Sequence, residues 1–285
     1  MRSLISQGVF GIEHGGMVQH DEAISDYKQI IINFDSSLQF LKEEFDILPK
    51  VAMSIDGFGH SSISPYIFRA LGHEALVVYR MPWEMYSKFE EDKQYMFTWQ
   101  GDAETRIRVY RLVKYSLNEN FNLDRSSAFY GTCFTLEDFC AEDYLKFHVN
   151  SQIFDMSELE ENDLSSHSRL AFQTLGTDFS FQDASAAWKN AETILSNLVR
   201  YLKNNFRFEF KTFRDLYEML HDHHQFKKVF KGDMLVYDEK NGDAWSGYYG
   251  SKPDLKMHIR QIFDSYRATT SLMFVARLEL EKLKS

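Results

Sequence analysis

The sequence predicts an α/β fold in which parallel strands alternate with helices around one sheet. Residues 51–55 are apolar and short enough for a buried strand, and two glycines then break the pattern. A helix pattern follows up to Gly72, and residues 75–79 then predict a second buried strand. The three elements make a β-α-β unit, which requires the two strands to pair in parallel.

The elements around this unit follow from the same rules. Residues 21–45 place apolar side chains at helical intervals, so they predict a helix before the first strand. Ser61 or Ser62 can cap the helix between the strands, with Pro65 in its first turn.

Beyond residue 79 the chain continues to alternate between helix and strand patterns. Residues 105–115 carry an apolar stripe at helical intervals, formed by Ile107, Tyr110 and Val113 with Leu117 beyond. The other predicted elements are a helix over 84–93, a strand over 94–99, a strand over 170–175, a helix over 184–204, a short strand over 207–210, a helix over 213–220 and a helix of about thirty residues that opens at Ser251 and Pro253.

The region over 118–168 differs from the rest of the chain. It is polar, acidic and irregular, and 157–168 is the best candidate for disorder. Both cysteines of the chain, Cys133 and Cys140, lie within it. They can pair in a disulfide or remain free thiols.

The composition is that of a soluble globular chain. Apolar residues make up 44%, including 25 Phe and 15 Tyr, so a large core is expected. The net charge of −10 argues against binding to nucleic acid or to anionic membranes. The sequence has no run of 18 apolar residues, no signal-peptide pattern at 1–6 and no Asn-x-Ser/Thr acceptor. As written, the chain is therefore predicted to be cytosolic, although a truncated sequence would look the same.

Asp56 is the first candidate for chemistry, because it directly follows the predicted strand over 51–55. Catalytic side chains collect at the carboxyl ends of strands in parallel α/β folds. An aspartate that merely shapes the turn is an equally good interpretation of the local pattern.

The segment around Asp56, Ile55-Asp56-Gly57-Phe58-Gly59-His60-Ser61, resembles the Ile-Asp-Pro-Phe-Gly-His-Ser motif of family 38 glycoside hydrolases, the α-mannosidases. Other segments resemble further motifs of that family in the same order, namely 13–18 with 21–23, Arg80, 96–99, 175–179, and 232–234 with 245–253. Any one match would be weak, whereas the ordered set indicates homology. The resemblance covers residues 8 to about 275.

The resemblance implies a retaining, zinc-dependent hydrolysis of α-mannosides or N-glycan oligosaccharides. Asp56 would be both the nucleophile and a zinc ligand, and Arg80 would lie near the sugar. A second carboxyl group must protonate the leaving oxygen, and Glu137 or Asp138 is nearest in sequence, although a solvated acidic loop explains both residues as well. The implied fold is part of an irregular β/α barrel over 1–240, followed over 241–285 by the first helix of a three-helix bundle.

The chain departs from the family pattern in ways that bear on activity. The family's other zinc ligands, in a His-x-Asp and a His-His-Asp motif, would fall before Met1 and after Ser285, so Asp56 would be the only ligand present. Met17 and Met53 stand where the family usually has Trp, Gly57 replaces Pro, and Gln100 replaces Arg. We therefore expect little or no activity from this chain alone.

Three interpretations remain open on the sequence. The chain is an incompletely recorded α-mannosidase, a non-catalytic relative that binds or interacts without zinc, or a different enzyme that uses Asp56 with acids of the 118–168 loop. Family members mostly occupy the secretory pathway or lysosome, in contrast to the cytosolic prediction above. A barrel lacking its first strand would expose an unpaired edge, so a partner that covers this edge is also predicted.

Three further polar sites allow both a functional and a structural interpretation. The cluster over 221–224, with three histidines, could bind a metal, but a helix terminus favours cationic His for electrostatic reasons. His60 could be a ligand, although a role in shaping the loop behind Asp56 is favoured. Asp178 could bond sugar or hold neighbouring loops, and the structural role is again favoured.

Overall fold

The computed structural model describes residues 1–112, 209–220 and 226–283, together with isolated positions between 154 and 196. The helices are α1 (Arg2–Ser6), α2 (Tyr27–Phe45), α3 (Ser64–Ala70), α4 (Trp83–Glu91), α5 (Phe213–Leu220), α6 (Gly247–Gly250) and α7 (Pro253–Lys282). The strands are β1 (Val51–Ser54), β2 (Ala75–Val78), β3 (Met96–Gln100), β4 (Arg106–Arg111), β5 (Phe154–Asp155), β6 (Arg169–Leu170) and β7 (Val229–Lys231).

Five strands form one sheet in the order β1-β2-β4-β3-β7. The predicted β-α-β unit is confirmed, because β1 and β2 pair in parallel with Ser54 opposite Val78. Strands β2 and β4, and β3 and β7, are also parallel, whereas β3 and β4 are antiparallel. The prediction of an all-parallel sheet is wrong at this pair. Only five residues separate Gln100 from Arg106, and a parallel crossover needs a dozen or more.

The helical stripe predicted over 105–115 is also wrong, because residues 106–111 form β4. Ile107 and Val109 pack in the core on one face of the sheet, whereas Tyr110 packs in the core on the other. A period of two therefore explains the burial, and the helical spacing of the apolar residues was coincidental.

Helices cover both faces of the sheet. One core contains side chains of α2, α3 and α4, including Phe34, Phe68 and Phe89. The other core contains Leu216 and Leu220 of α5. This arrangement confirms the α/β class, while the barrel over 1–240 and the three-helix bundle remain predictions.

Helix α2 begins at Tyr27, six residues later than predicted, because Asp26 caps it. The Asp26 carboxylate accepts a hydrogen bond from the Lys28 amide at 2.9 Å, and Gln29 reaches back to the Asp26 amide, which completes a capping box. Residues 21–25 therefore precede the helix, and Glu22 among them is buried at the candidate site.

The predictions for the second half of the chain can be compared with the structure at fewer positions. The thirty-residue α7 confirms the predicted terminal helix. The described positions between 184 and 196 are helical, as predicted for 184–204. Strands were predicted over 170–175 and 207–210, but positions 172, 174, 209 and 210 lie outside any strand. In the described part of the chain, no helix is both long and apolar enough to cross a bilayer.

Three histidines whose rings lie around Phe34 are almost fully buried: His14, His20 and His73. The His14 ring lies 4.7 Å from the ring of Phe34, and its Nδ1 accepts a hydrogen bond from the Met53 amide at 3.2 Å. Burial lowers the pKa of all three, and that of His14 to about 4. The unfolded chain, in which histidine has a pKa near 6.5, therefore binds more protons than the folded chain between pH 6.5 and pH 4.

We accordingly expect the free energy of unfolding to fall as the pH drops from 7 to 5, with His14 contributing about 2 kcal/mol. Urea unfolding at each pH measures it. The H14Q variant should show a weaker pH dependence, whereas H258Q, which alters an exposed histidine on α7, should follow the wild-type curve. Equal stability of the wild type at pH 7 and pH 5 would contradict the prediction.

Candidate functional site

Asp56 and Arg80 meet at the carboxyl end of the sheet. They follow β1 and β2, which are adjacent, parallel and in register, so the residues just beyond the strands come together. Arg80 Nε donates a hydrogen bond to Asp56 Oδ1 at 2.7 Å. The Asp56 side chain is 46% exposed, and no donor in the described residues reaches its other oxygen, Oδ2. One carboxylate oxygen is thus held by Arg80 on a side chain that is about half exposed.

Aromatic rings surround the Arg80 guanidinium. It lies 5.1 to 5.3 Å from the ring centroids of Phe58, Tyr237 and Trp245. Its Nη1 also donates to Tyr237 Oη at 2.9 Å, and Tyr237 in turn donates to Glu239 at 3.0 Å. Burial alone would lower the pKa of Arg80, but its interactions with Asp56 and Tyr237 outweigh burial, so the pKa is raised. The guanidinium therefore stays charged and held in one orientation.

A distant segment of the chain, residues 232–245, completes the site. Met234 and His60 exchange backbone hydrogen bonds at 2.8 and 2.9 Å, and Trp99 Nε1 donates to the Gly232 carbonyl at 2.9 Å. This docking brings Tyr237 and Trp245 onto Arg80. Trp245 lies in a segment that resembles a family motif, whereas no local pattern in the sequence marks Tyr237 or Glu239.

Gly59 packs closely against this segment. Its φ is +96°, and a Cβ there would lie 2.6 Å from Leu235 Cδ2 and 2.7 Å from the Met234 carbonyl oxygen. Gly72 has a similar φ of +94° but open space around it. Alanine at either glycine would have similar backbone strain, but only alanine at Gly59 would also overlap with neighbouring atoms.

We expect Gly59→Ala to destabilise the fold by about 2–4 kcal/mol, because left-handed strain adds to the overlap with the Met234 backbone. Gly72→Ala should cost only about 1–2 kcal/mol, from strain alone. Thermal and urea unfolding of both variants give the comparison. Equal losses would show that residues 234–235 do not pack on the loop as described.

Glu22 forms a buried hub beneath the loop. Its carboxylate accepts hydrogen bonds from His60 Nδ1 at 3.0 Å, the Ser61 amide at 2.9 Å, Ser54 Oγ at 3.3 Å and Ser64 Oγ. Burial alone raises the pKa of Glu22, but the His60 ring and these donors outweigh it, so the pKa is lowered. His60 is itself fully buried, so it shapes the loop from behind and does not reach the open face.

The described residues do not supply a metal-binding donor set. Among them, no group of three His, Cys, Asp or Glu side chains could hold an ion. Asp56 is the only predicted ligand, and its Oδ1 already binds Arg80. A bound zinc needs at least three protein ligands, so the described part of the site does not fit zinc by itself.

Several predicted site residues lie outside the described residues, and the structure does not test them. They are the candidate acids Glu137 and Asp138, the cysteines Cys133 and Cys140, Asp178 and the histidine cluster over 221–224.

Residues 1–240 match one family model, described as the glycosyl hydrolases family 38 N-terminal domain. Similar curated proteins include the lysosomal α-mannosidase of Dictyostelium discoideum, 26% identical over 92% of this chain, and α-mannosidase 2 of Drosophila melanogaster, 22% identical over 95%. The chain spans 26% of the length of each of these relatives.

One solved structure supports the fold. A crystal structure of an α-mannosidase from Enterococcus faecalis V583 is 10% identical, with a TM-score of 0.53, and covers 82% of this chain and 23% of that protein. At this identity the likeness concerns the fold alone.

Proposed function

The chain belongs to the glycosyl hydrolases of family 38, with residues 1–240 matching the N-terminal domain, and on that premise we propose that Asp56 is the nucleophile of a retaining α-mannosidase. The observation that carries the proposal is the Asp56–Arg80 pair. It presents a half-exposed carboxylate, with one oxygen anchored by Arg80, at the carboxyl end of a parallel strand pair. The relatives named α-mannosidase support an α-mannoside or an N-glycan oligosaccharide as substrate.

In the proposed reaction, Asp56 Oδ2 attacks the anomeric carbon while the bond from that carbon to the leaving oxygen breaks. A general acid gives that oxygen a proton, and water later displaces the sugar from Asp56. Arg80 fixes the carboxylate through Nε, and the rings of Phe58 and Trp245 pack around the guanidinium. We propose Glu137 or Asp138 as the acid, by position in sequence.

We propose zinc as the cofactor on family grounds only. In this family it would orient sugar hydroxyls and stabilise developing charge. Because Asp56 is the only predicted ligand in the described residues, further ligands would have to come from elsewhere. We also propose, from the same relatives, a lysosomal or secretory location and a division of the chain near residue 240.

The second candidate is a non-catalytic relative that binds without hydrolysis. The donor set favours it, since the described residues offer zinc a single carboxylate that Arg80 already occupies. In this case the aromatic rings around Arg80 would form a binding surface and Asp56 a polar contact. The hydrolase candidate expects at least weak hydrolysis that depends on zinc, whereas the non-catalytic candidate expects none even at high protein concentration.

One experiment separates the two candidates. The purified chain is incubated with 4-nitrophenyl α-mannoside with and without added zinc, and its metal content is measured by elemental mass spectrometry. Zinc at one ion per chain with release of nitrophenol supports the hydrolase. Absence of both zinc and turnover, even at high protein concentration, would contradict the hydrolase proposal for this chain and support the binding protein.

A further inference from the structure

The outer edge of β1 is covered by residues 14–22 of the same chain, which we call the strap. The amide of His14 donates to the Val51 carbonyl at 2.9 Å, and the Met53 amide donates to His14 Nδ1 at 3.2 Å. Alternate residues of a strand present their backbone groups to the same edge. The sequence predicted an unpaired edge, but at β1 the Val51 carbonyl and the Met53 amide are both hydrogen-bonded by His14. A second protein that covers the edge remains a prediction.

The strap continues to the residue that carries the chemistry. Gln19 Oε1 accepts hydrogen bonds from the amides of both Ile55, at 3.1 Å, and Asp56, at 3.3 Å. Gln19 is the strap's contact with the Asp56 backbone, just as Arg80 is the contact with its carboxylate. The two contacts hold different atoms of Asp56, so neither replaces the other.

Helix α2 fixes the strap from behind. Asn33 accepts from the Val18 amide at 3.1 Å and donates to the Val18 carbonyl at 3.0 Å. Val18 adjoins Gln19, so the orientation of the Gln19 backbone is set by a helix and not by solvent. Three residues after Gln19, Glu22 binds the far end of the Asp56 loop through His60 and Ser61.

We propose that Gln19 is a positioning residue for Asp56, and that the strap holds the Asp56 loop at both ends through Gln19 and Glu22. This inference rests on the proposed function for its consequence, because nucleophilic attack requires the carboxylate to be held within a fraction of an ångström. Its structural content, protection of two backbone amides by one side chain, does not depend on catalysis.

The test uses Gln19→Ala in the full chain. Gln19 is exposed, so the variant should fold. Hydrogen exchange at the amides of Ile55 and Asp56 should become about tenfold faster than in the wild type, because both lose their acceptor. Gln19→Glu keeps an oxygen acceptor and should restore protection. Gln39→Ala, an exposed glutamine on α2 that bonds only Glu43 among the described residues, should leave both amides unchanged.

The catalytic readout is the split between kcat and KM on 4-nitrophenyl α-mannoside. For Gln19→Ala we expect kcat to fall about tenfold or more with KM nearly unchanged. Wild-type exchange rates at both amides in this variant would overturn the inference, as would an unchanged kcat in an active wild type. If the wild type shows no turnover, the proposed function fails for this chain, and exchange at the two amides still decides the role of Gln19.

Discussion

Replacing Asp56 by asparagine is expected to abolish any glycosidase activity of this protein, with a loss of at least about a thousandfold in kcat. An amide oxygen is a poor nucleophile, and the exchange leaves the side chain nearly the same size. Asp56 is about half exposed and pairs with Arg80 near the surface. Loss of that ion pair should cost no more than about 1 kcal/mol of stability.

The variant therefore separates chemistry from folding. Release of nitrophenol from 4-nitrophenyl α-mannoside measures the rate, and thermal unfolding measures the fold. Asp46→Asn is the matched control, since Asp46 is an exposed aspartate at the C-cap of α2 with φ of +57°, a conformation that asparagine also adopts. A D56N variant that keeps most of its rate would disprove the nucleophile assignment.

Removing the Glu22 carboxylate should destabilise the fold far more than removing a carboxylate from the surface. Glu22→Ala leaves His60, Ser54, Ser64 and the Ser61 amide without their acceptor inside the protein. Breaking a buried pair of this kind costs about 3–5 kcal/mol, because the remaining polar groups stay buried and unpaired. Glu22→Gln keeps the shape and one acceptor oxygen, so its loss should be smaller.

The control is a carboxylate on the surface that pairs with an arginine. Glu44 binds Arg2 at 2.6 Å, but both side chains are exposed, so Glu44→Ala should cost less than about 1 kcal/mol. Urea unfolding at pH 7 gives all three values. A Glu22→Ala variant within about 1 kcal/mol of Glu44→Ala would show that the hub does not stabilise the fold.

The β-α-β unit could be predicted because its signals are local. Residues 51–55 and 75–79 are apolar runs of strand length, Gly57 and Gly59 end the first run, and a helix pattern up to Gly72 separates it from the second. The position of Asp56 at the carboxyl end of β1 followed directly. The antiparallel pairing of β3 with β4 was missed because the apolar residues of β4 also match a helical period. The connection between Gln100 and Arg106 is too short for a parallel crossover, so the two strands run in opposite directions.

The sequence by itself determined the family, the α/β class and the candidate nucleophile, since ordered motifs and apolar runs depend on neighbours along the chain. Only the tertiary structure decided what surrounds Asp56. Arg80 reaches it because two strands pair in register, Tyr237 arrives from far along the chain, and Gln19 lies on a strap across the strand edge. Such contacts join residues separated by up to 157 positions. Their geometry comes from packing of the whole fold, which no local pattern encodes.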